Sequence, residues 1–295
     1  MPVAVHHDRA ASDGWQAQAT TIGRDVGVPV TAAIVVLTGV TVAAGFLVRF
    51  GFDGRVDAAD VQFVTDLVAH RNPAVDGLTG IGTALAGTVT VAVLWVGAMV
   101  VAAIVTRRPT IPVFLLAAVG GEKLTYLLAA LLVGRPRPPV ESIGEVFATN
   151  SFPSGHVGSA VTLYGSIVVA TLWYRRAVLG RRPPRPVPIL LGVAVAVVAA
   201  FVAFSRVWRG HHHPSDVLWG ALLGGAWLAW SWWSALRRSE PASLPAAIVR
   251  TRDATSIDRA RGSASVVPPE TDRAVLASER RAPLVRPRSG SRSTN

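Results

Sequence analysis

The chain has 295 residues, 51% of them hydrophobic and 16% charged, with a mean hydropathy of +0.42, against ~25% charged residues in ordinary soluble domains. Its formal net charge is +11 and it contains no cysteine, which excludes disulfides and thiol chemistry. This balance excludes a soluble globular domain and predicts an all-α polytopic membrane protein.

The first 27 residues read as a cytoplasmic N-terminal segment. His6, His7, Asp8, Arg9, Asp13, Arg24 and Asp25 leave no basic lead abutting an apolar core, so the first apolar run reads as a retained helix rather than a signal peptide. A bilayer crossing takes ~20 mostly apolar residues. Six segments reach about that length, at 28–48, 84–106, 111–133, 157–174, 187–204 and 217–234. They predict a six-helix membrane domain over 28–236, an integral protein of the cell membrane.

Arginine placement orients the spans. Arg107 and Arg108 follow the second, Arg175, Arg176, Arg181, Arg182 and Arg185 follow the fourth, and Arg237 and Arg238 follow the sixth. The positive-inside rule makes these cytoplasmic, with Trp173, Tyr174, Trp232 and Trp233 as anchors at the inner interface. The connection between spans one and two carries Asp53, Asp57, Asp60, Asp66 and Asp76 against Arg49, Arg55 and Arg71, and reads as a solvated outer face. Segments 134–156 and 205–216 then emerge together on the extracytoplasmic side. Residues 237–295 hold twelve arginines against six acidic residues with no sustained apolar period, which predicts a basic, disordered cytoplasmic tail. Membrane topology accounts for the basic charge without nucleic acid as a partner.

Segments 151–156 and 205–216 collect the chemistry. A phosphate ester presents two negative charges, and a guanidinium fork binds two of its oxygens at once without losing its own charge. Arg206, with one or both of Arg135 and Arg137, supplies such forks. Ser154 offers a hydroxyl, Gly155 permits close backbone approach, and the start of the fourth span offers helix N-terminal N–H groups. Displacement at phosphorus needs a nucleophile and an acid on opposite sides, and imidazoles serve both roles. His212 and Asp216, four apart, share a face if the sixth helix begins by then, so the carboxylate can orient His212 as nucleophile. His156 remains as the acid. His211 and His213 read as solvated flanks, and three consecutive histidines point in different directions, which argues against a metal site.

These residues resemble the type 2 phosphatidic acid phosphatase (PAP2) family, whose phosphate site is shared with vanadium haloperoxidases. Pro153-Ser154-Gly155-His156 is similar to its second motif. Ser205-Arg206, five residues, His212, three residues and Asp216 is similar to its third. The resemblance implies a helical bundle and a hydrolase working through a phosphohistidine intermediate at the outer membrane face, with no metal or other cofactor. Its substrate would be a lipid phosphate or pyrophosphate, such as phosphatidic acid, phosphatidylglycerol phosphate or a polyprenyl pyrophosphate. Two alternatives stay open: a lipid phosphotransferase using the same histidine pair, and a degenerate lipid-phosphate-binding protein.

The first family motif is where the chain departs. A lysine is expected seven residues before an Arg-Pro pair, yet Leu128 precedes Arg135 and Ala130 precedes Arg137 at that spacing. Lys123 is the one lysine of the chain. Twelve residues before Arg135, it lies ~18 Å away along a straight helix at 1.5 Å per residue. On that measure it is too deep to reach a phosphate at the rim, and with Glu122 it reads as an ion pair or a snorkelling side chain.

Overall fold

The computed structural model describes residues 7–144 and 149–237, with side chains from Asp25 onward. The predicted basic tail from 238 lies outside the described residues.

Every regular element among the described residues is helical. The order is α1 (His7–Phe50), α2 (Arg55–Ala69), α3 (Pro73–Leu85), α4 (Thr88–Thr106), α5 (Thr110–Leu115), α6 (Gly121–Val133), α7 (Gly155–Ala177), α8 (Pro186–Trp208) and α9 (Pro214–Ser231). A π-helical turn, Leu116–Gly120, joins α5 to α6, and another, Trp232–Arg237, follows α9. Among the described residues, five stretches are long and apolar enough to cross a membrane: Asp25–Ala69, Pro73–Thr106, Thr110–Val133, Gly155–Ala177 and Pro186–Trp208. The protein is an integral membrane protein. The sixth predicted span exists as α9 but does not join those five, because an 18-residue helix carrying Asp216, three glycines and two serines has less apolar content to offer.

Helix α7 is central and packs on α8, α9, α6 and α4. Its crossing with α9 is close because both helices present glycines there. A Cβ on Gly224 would stand 2.8 Å from the Gly158 carbonyl oxygen, and one on Gly220 would stand 2.5 Å from that of Ser154. Small residues are how membrane helices bring their backbones together when lipid removes the hydrophobic drive. The outer sides of α4 and α8 stay apolar and exposed, through Val93, Val100, Ile104, Ile189, Leu190 and Val197. These faces meet acyl chains rather than water.

The connection between α1 and α4 corrects the expectation of a solvated acidic loop. It folds as α2 and α3, and Val64 of α2 is fully buried with Val157, Ala160, Val202 and Val207. Asp60 is buried as well. Asp76 accepts from Trp208 Nε1 at 2.8 Å, and its carbonyl accepts from Arg209 at 3.1 Å. Arg71 donates to the Trp208 carbonyl at 2.9 Å and to that of Glu141 at 2.6 Å. Asp57, Asp60 and Asp76 face inward because arginines and an indole await them there, while Asp53 and Asp66 stay exposed as expected. At the other end, α1 extends helically back to His7, through most of the segment read as an N-terminal lead.

After α6 the chain reverses and runs back beside it. Asn150 donates to the Ala130 carbonyl at 2.8 Å, Tyr126 donates to Thr149 Oγ1 at 3.1 Å, and Lys123 donates to the Gly155 carbonyl at 3.0 Å. Each partner sits one turn deeper on α6 than the last. The returning segment therefore delivers the start of α7 well below the α6 terminus.

Candidate active site

The two motif-bearing segments meet at one end of the bundle through the backbone. Ser151 N donates to the Arg135 carbonyl at 2.8 Å, Ser154 N to that of Asp216 at 3.0 Å, and Ile143 N to that of Arg209 at 3.1 Å. Between them lies a cavity of about 370 Å³. Its lining combines Lys123, Arg137, His156, Arg206 and His212 with apolar groups such as Val91, Ala92, Trp95, Val119 and Leu127.

His212 is held in a definite tautomer. Its Nδ1 lies 2.8 Å from the Ser151 carbonyl oxygen, which only accepts, so Nδ1 carries the proton and Nε2 keeps a lone pair. Asp216 Oδ2 stands 3.7 Å from the same nitrogen. The expected carboxylate partner is thus a near neighbour, and the Ser151 carbonyl does the orienting. The pair also forms without a shared helical face, since α9 begins only at Pro214. Burial pushes the His212 imidazole down to about 4; Asp216 opposes this, while Arg206 and Arg137 add to it. At neutral pH His212 is an uncharged base with a free lone pair, the state a nucleophile requires.

Asp216 is a hub. Its Oδ1 accepts from Arg135 Nη1 at 2.6 Å, and its Oδ2 accepts from Ser151 Oγ at 2.5 Å and from the His213 backbone N at 2.8 Å. The last of these, with His213 at the N-cap, closes a capping box that starts α9. His213 and His211, expected as solvated flanks, are both buried. His211 Nε2 donates to the Ile143 carbonyl at 2.9 Å and its Nδ1 accepts from Arg206 Nη2 at 2.9 Å. Burial and Arg206 push His211 down to about 3, with the Ile143 bond opposing, so it stays neutral and fixes the Arg206 fork. The three histidines thus turn to Arg206, Ser151 and Asp216 respectively.

The two Arg-Pro pairs separate. Arg137 lines the cavity, with Nη1 2.5 Å from the His211 carbonyl and Nη2 3.4 Å from Thr149 Oγ1. Burial lowers its pKa from the ordinary guanidinium value, which still leaves a cation. Arg135 does not line the cavity, a correction to its expected phosphate-binding role. It is fully buried, donating to Asp57 Oδ1 at 2.9 and 2.7 Å, Asp60 Oδ2 at 2.8 Å, Ser215 Oγ at 2.8 Å and Asp216 Oδ1 at 2.6 Å. Burial opposes its charge, but Asp216, Asp60 and Asp57 outweigh burial and hold its pKa above the ordinary value. Every hydrogen-bonding direction of that guanidinium is turned toward protein.

Ser154 is a second departure. It is fully buried beneath Gly220 of α9 and does not line the cavity. Gly155 does line it, and the reason for glycine there is packing: a Cβ would meet the Tyr126 ring at 2.9 Å.

Lys123 was missed by measuring along one helix. The rise argument placed the phosphate beside Arg135 at the rim, whereas the chain reversal carries Gly155 and His156 down to Lys123. Its side chain is one-third exposed, and its Nζ is 3.8 Å from Glu122 Oε2. The signal lay in the spacing: Lys123 is seven residues before Ala130, the expected lysine position, and so on nearly the same face.

The PAP2 superfamily model matches residues 111–240, a segment holding every cavity-lining cation and both histidines. That segment of the chain is similar to the PAP2 superfamily. The PAP2 fold is likewise seen in a transmembrane PAP2-type phosphatidylglycerolphosphate phosphatase from Bacillus subtilis, at a TM-score of 0.56 and 21% identity, over 68% of this chain and 92% of that one. No curated protein matches the sequence.

Proposed function

We propose that this protein is a membrane phosphatase that removes phosphate from a lipid phosphate or pyrophosphate through a phosphohistidine on His212. The carrying observation is the single cavity whose lining divides between Lys123, Arg137, Arg206 and two histidines on the one hand and apolar side chains on the other. That division matches an amphiphile: the phosphate sits among cations while the adjoining hydrocarbon keeps apolar company.

The chemistry follows from the atoms. Arg137, Arg206 and Lys123 gather the phosphate oxygens and stabilise the charge of the five-coordinate transition state. His212 Nε2 donates its lone pair to phosphorus as the bond to the lipid oxygen breaks, and His156 gives that oxygen its proton. The Nδ1 proton stays on His212, bonded to Ser151, and the nearby Asp216 charge steadies the cationic phosphohistidine. Water then attacks phosphorus, His156 takes a proton from it, and the P–N bond breaks to release orthophosphate. No step draws on a metal.

Phosphatidic acid, phosphatidylglycerol phosphate and polyprenyl pyrophosphates all fit this description. The Bacillus subtilis neighbour's name supports the second as the first substrate to try. The arginine pattern supports an extracytoplasmic site within a membrane domain spanning 28–236, with both termini inside.

The test uses purified full-length protein in detergent with a panel of these lipids. Wild type should release orthophosphate from at least one of them in the presence of a strong chelator and be inhibited by vanadate. His212→Ala should lose activity by about 10³-fold or more, as expected for removing a nucleophile. Phosphate release retained in that variant removes His212 from its role. Transfer of the phosphoryl group to an alcohol in preference to water indicates the phosphotransferase instead, and no release from any lipid indicates a binding protein.

A further inference from the structure

A second, smaller cavity of about 200 Å³ opens on the other side of His156 and Arg206. Those two residues line both cavities, while Lys123, Arg137 and His212 line only the first. The remaining walls come from the end of α3 and the turn into α4, the loop at Ile143 and Gly144, and Arg209 with His211 beyond α8.

Its volume falls below the ~300–1,000 Å³ of pockets that take larger organic ligands, and its chemistry differs from the first. Arg206 and Arg209 are three apart at the end of α8, so their guanidinium groups lie on one side of it. The Nε–H of each is buried and has no acceptor among the described residues. The same holds for Thr83 Oγ1, on the opposite wall. Buried donors without acceptors are costly in a finished structure, and three around one small space point to an anion. Gly144, at φ +86°, belongs to the same design: a Cβ there would stand 3.0 Å from Arg209 Nη2, so the glycine leaves the guanidinium room.

Resting on the phosphatase reading, we propose that this cavity is a product site, in which Arg206 and Arg209 hold orthophosphate on its way out. A lipid phosphate arrives with a hydrocarbon partner, but orthophosphate leaves as a bare ion. The apolar lining of the first cavity opposes its passage, since an unpaired charge is expensive in apolar surroundings. Arg206 touches both spaces and passes the ion from one to the other, and the same opening admits the hydrolytic water. The small volume excludes the lipid, which keeps the two routes separate.

The probe is inorganic orthophosphate, titrated calorimetrically into purified full-length protein in detergent, alongside product inhibition of lipid hydrolysis. Arg209→Gln should weaken orthophosphate at least tenfold and raise the ratio of its inhibition constant to the lipid KM by a similar factor. Arg209→Lys should restore part of that loss. Thr83→Trp, which fills the cavity from the opposite wall, should preserve the first-turnover burst of dephosphorylated lipid while slowing steady-state phosphate release severalfold. Wild-type orthophosphate affinity in Arg209→Gln, or wild-type steady-state turnover in Thr83→Trp, overturns the product site. Orthophosphate binding that depends on Arg209 in a protein that hydrolyses no lipid phosphate sinks the phosphatase reading and leaves an anion site standing.

Discussion

Arg135 and Arg137 sit two residues apart in one proline-flanked turn and end in opposite surroundings. Around Arg135, Asp57, Asp60 and Asp216 converge from α2 and α9. Among the described residues, the hydrogen bonds of Arg137 go to a carbonyl and a threonine hydroxyl, and it lines the cavity. The first is a structural rivet that neutralises its own charge. The second keeps its charge available. An arginine's capacity to bind phosphate is thus set by which acceptors the fold has already supplied.

The largest expected effect breaks the rivet. Arg135→Ala strands buried carboxylates, and removing one partner of a buried ion pair costs about 3–5 kcal/mol. The variant should melt well below wild type in detergent or fail to fold. Arg137→Ala should melt near wild type while kcat/KM falls about 10²- to 10³-fold, the usual loss for one transition-state donor. If the two variants exchange these behaviours, the contrast is wrong.

The sequence made some of this legible and hid the rest for physical reasons. Long apolar runs marked α1, α4, α6, α7 and α8, because lipid-facing helices stay apolar on the outside. Helices α2 and α3 escaped notice because the inner face of α2 carries Asp57 and Asp60, which read as solvated until Arg135 is placed beside them. Two identical Arg-Pro dipeptides carry no local sign of which one the carboxylates will claim. His156, Arg206 and His212 were legible as a set because their spacing follows a motif. The burial of His211 and His213 was not, since it depends on Ile143 and Ser151 arriving from elsewhere in the chain.

Lys123 sharpens the comparison, as a cation of the cavity that has a carboxylate neighbour yet keeps part of its surface open. Lys123→Met should lower kcat/KM about 10- to 100-fold, the equivalent of a charge-assisted hydrogen bond of about 1.5–3 kcal/mol. The effect should fall mainly on kcat if Lys123 engages the transition state, and on KM if it binds the ground state. A change in melting temperature with neither kinetic effect would return Lys123 to a purely structural pairing with Glu122 and Gly155.

The smallest effect is a pH dependence of stability, which separates the neutral histidines from the carboxylate nest. His212 and His211 titrate near 4 and 3 in the folded protein, below the ordinary value of 6.5. Between those values the unfolded chain binds protons that the folded chain refuses, so stability rises with pH there. It is fully present above about 6.5 and declines as pH falls toward 4 and then 3. A thermal melt series in detergent at pH 7, 6, 5 and 4 should show a progressive drop. His211→Asn, which can still offer an amide to Arg206 or Ile143 but does not titrate, should flatten that drop in part. An equally steep profile in the variant would assign the loss to other groups and remove His211 from the neutral scaffold that aims Arg206 at the phosphate.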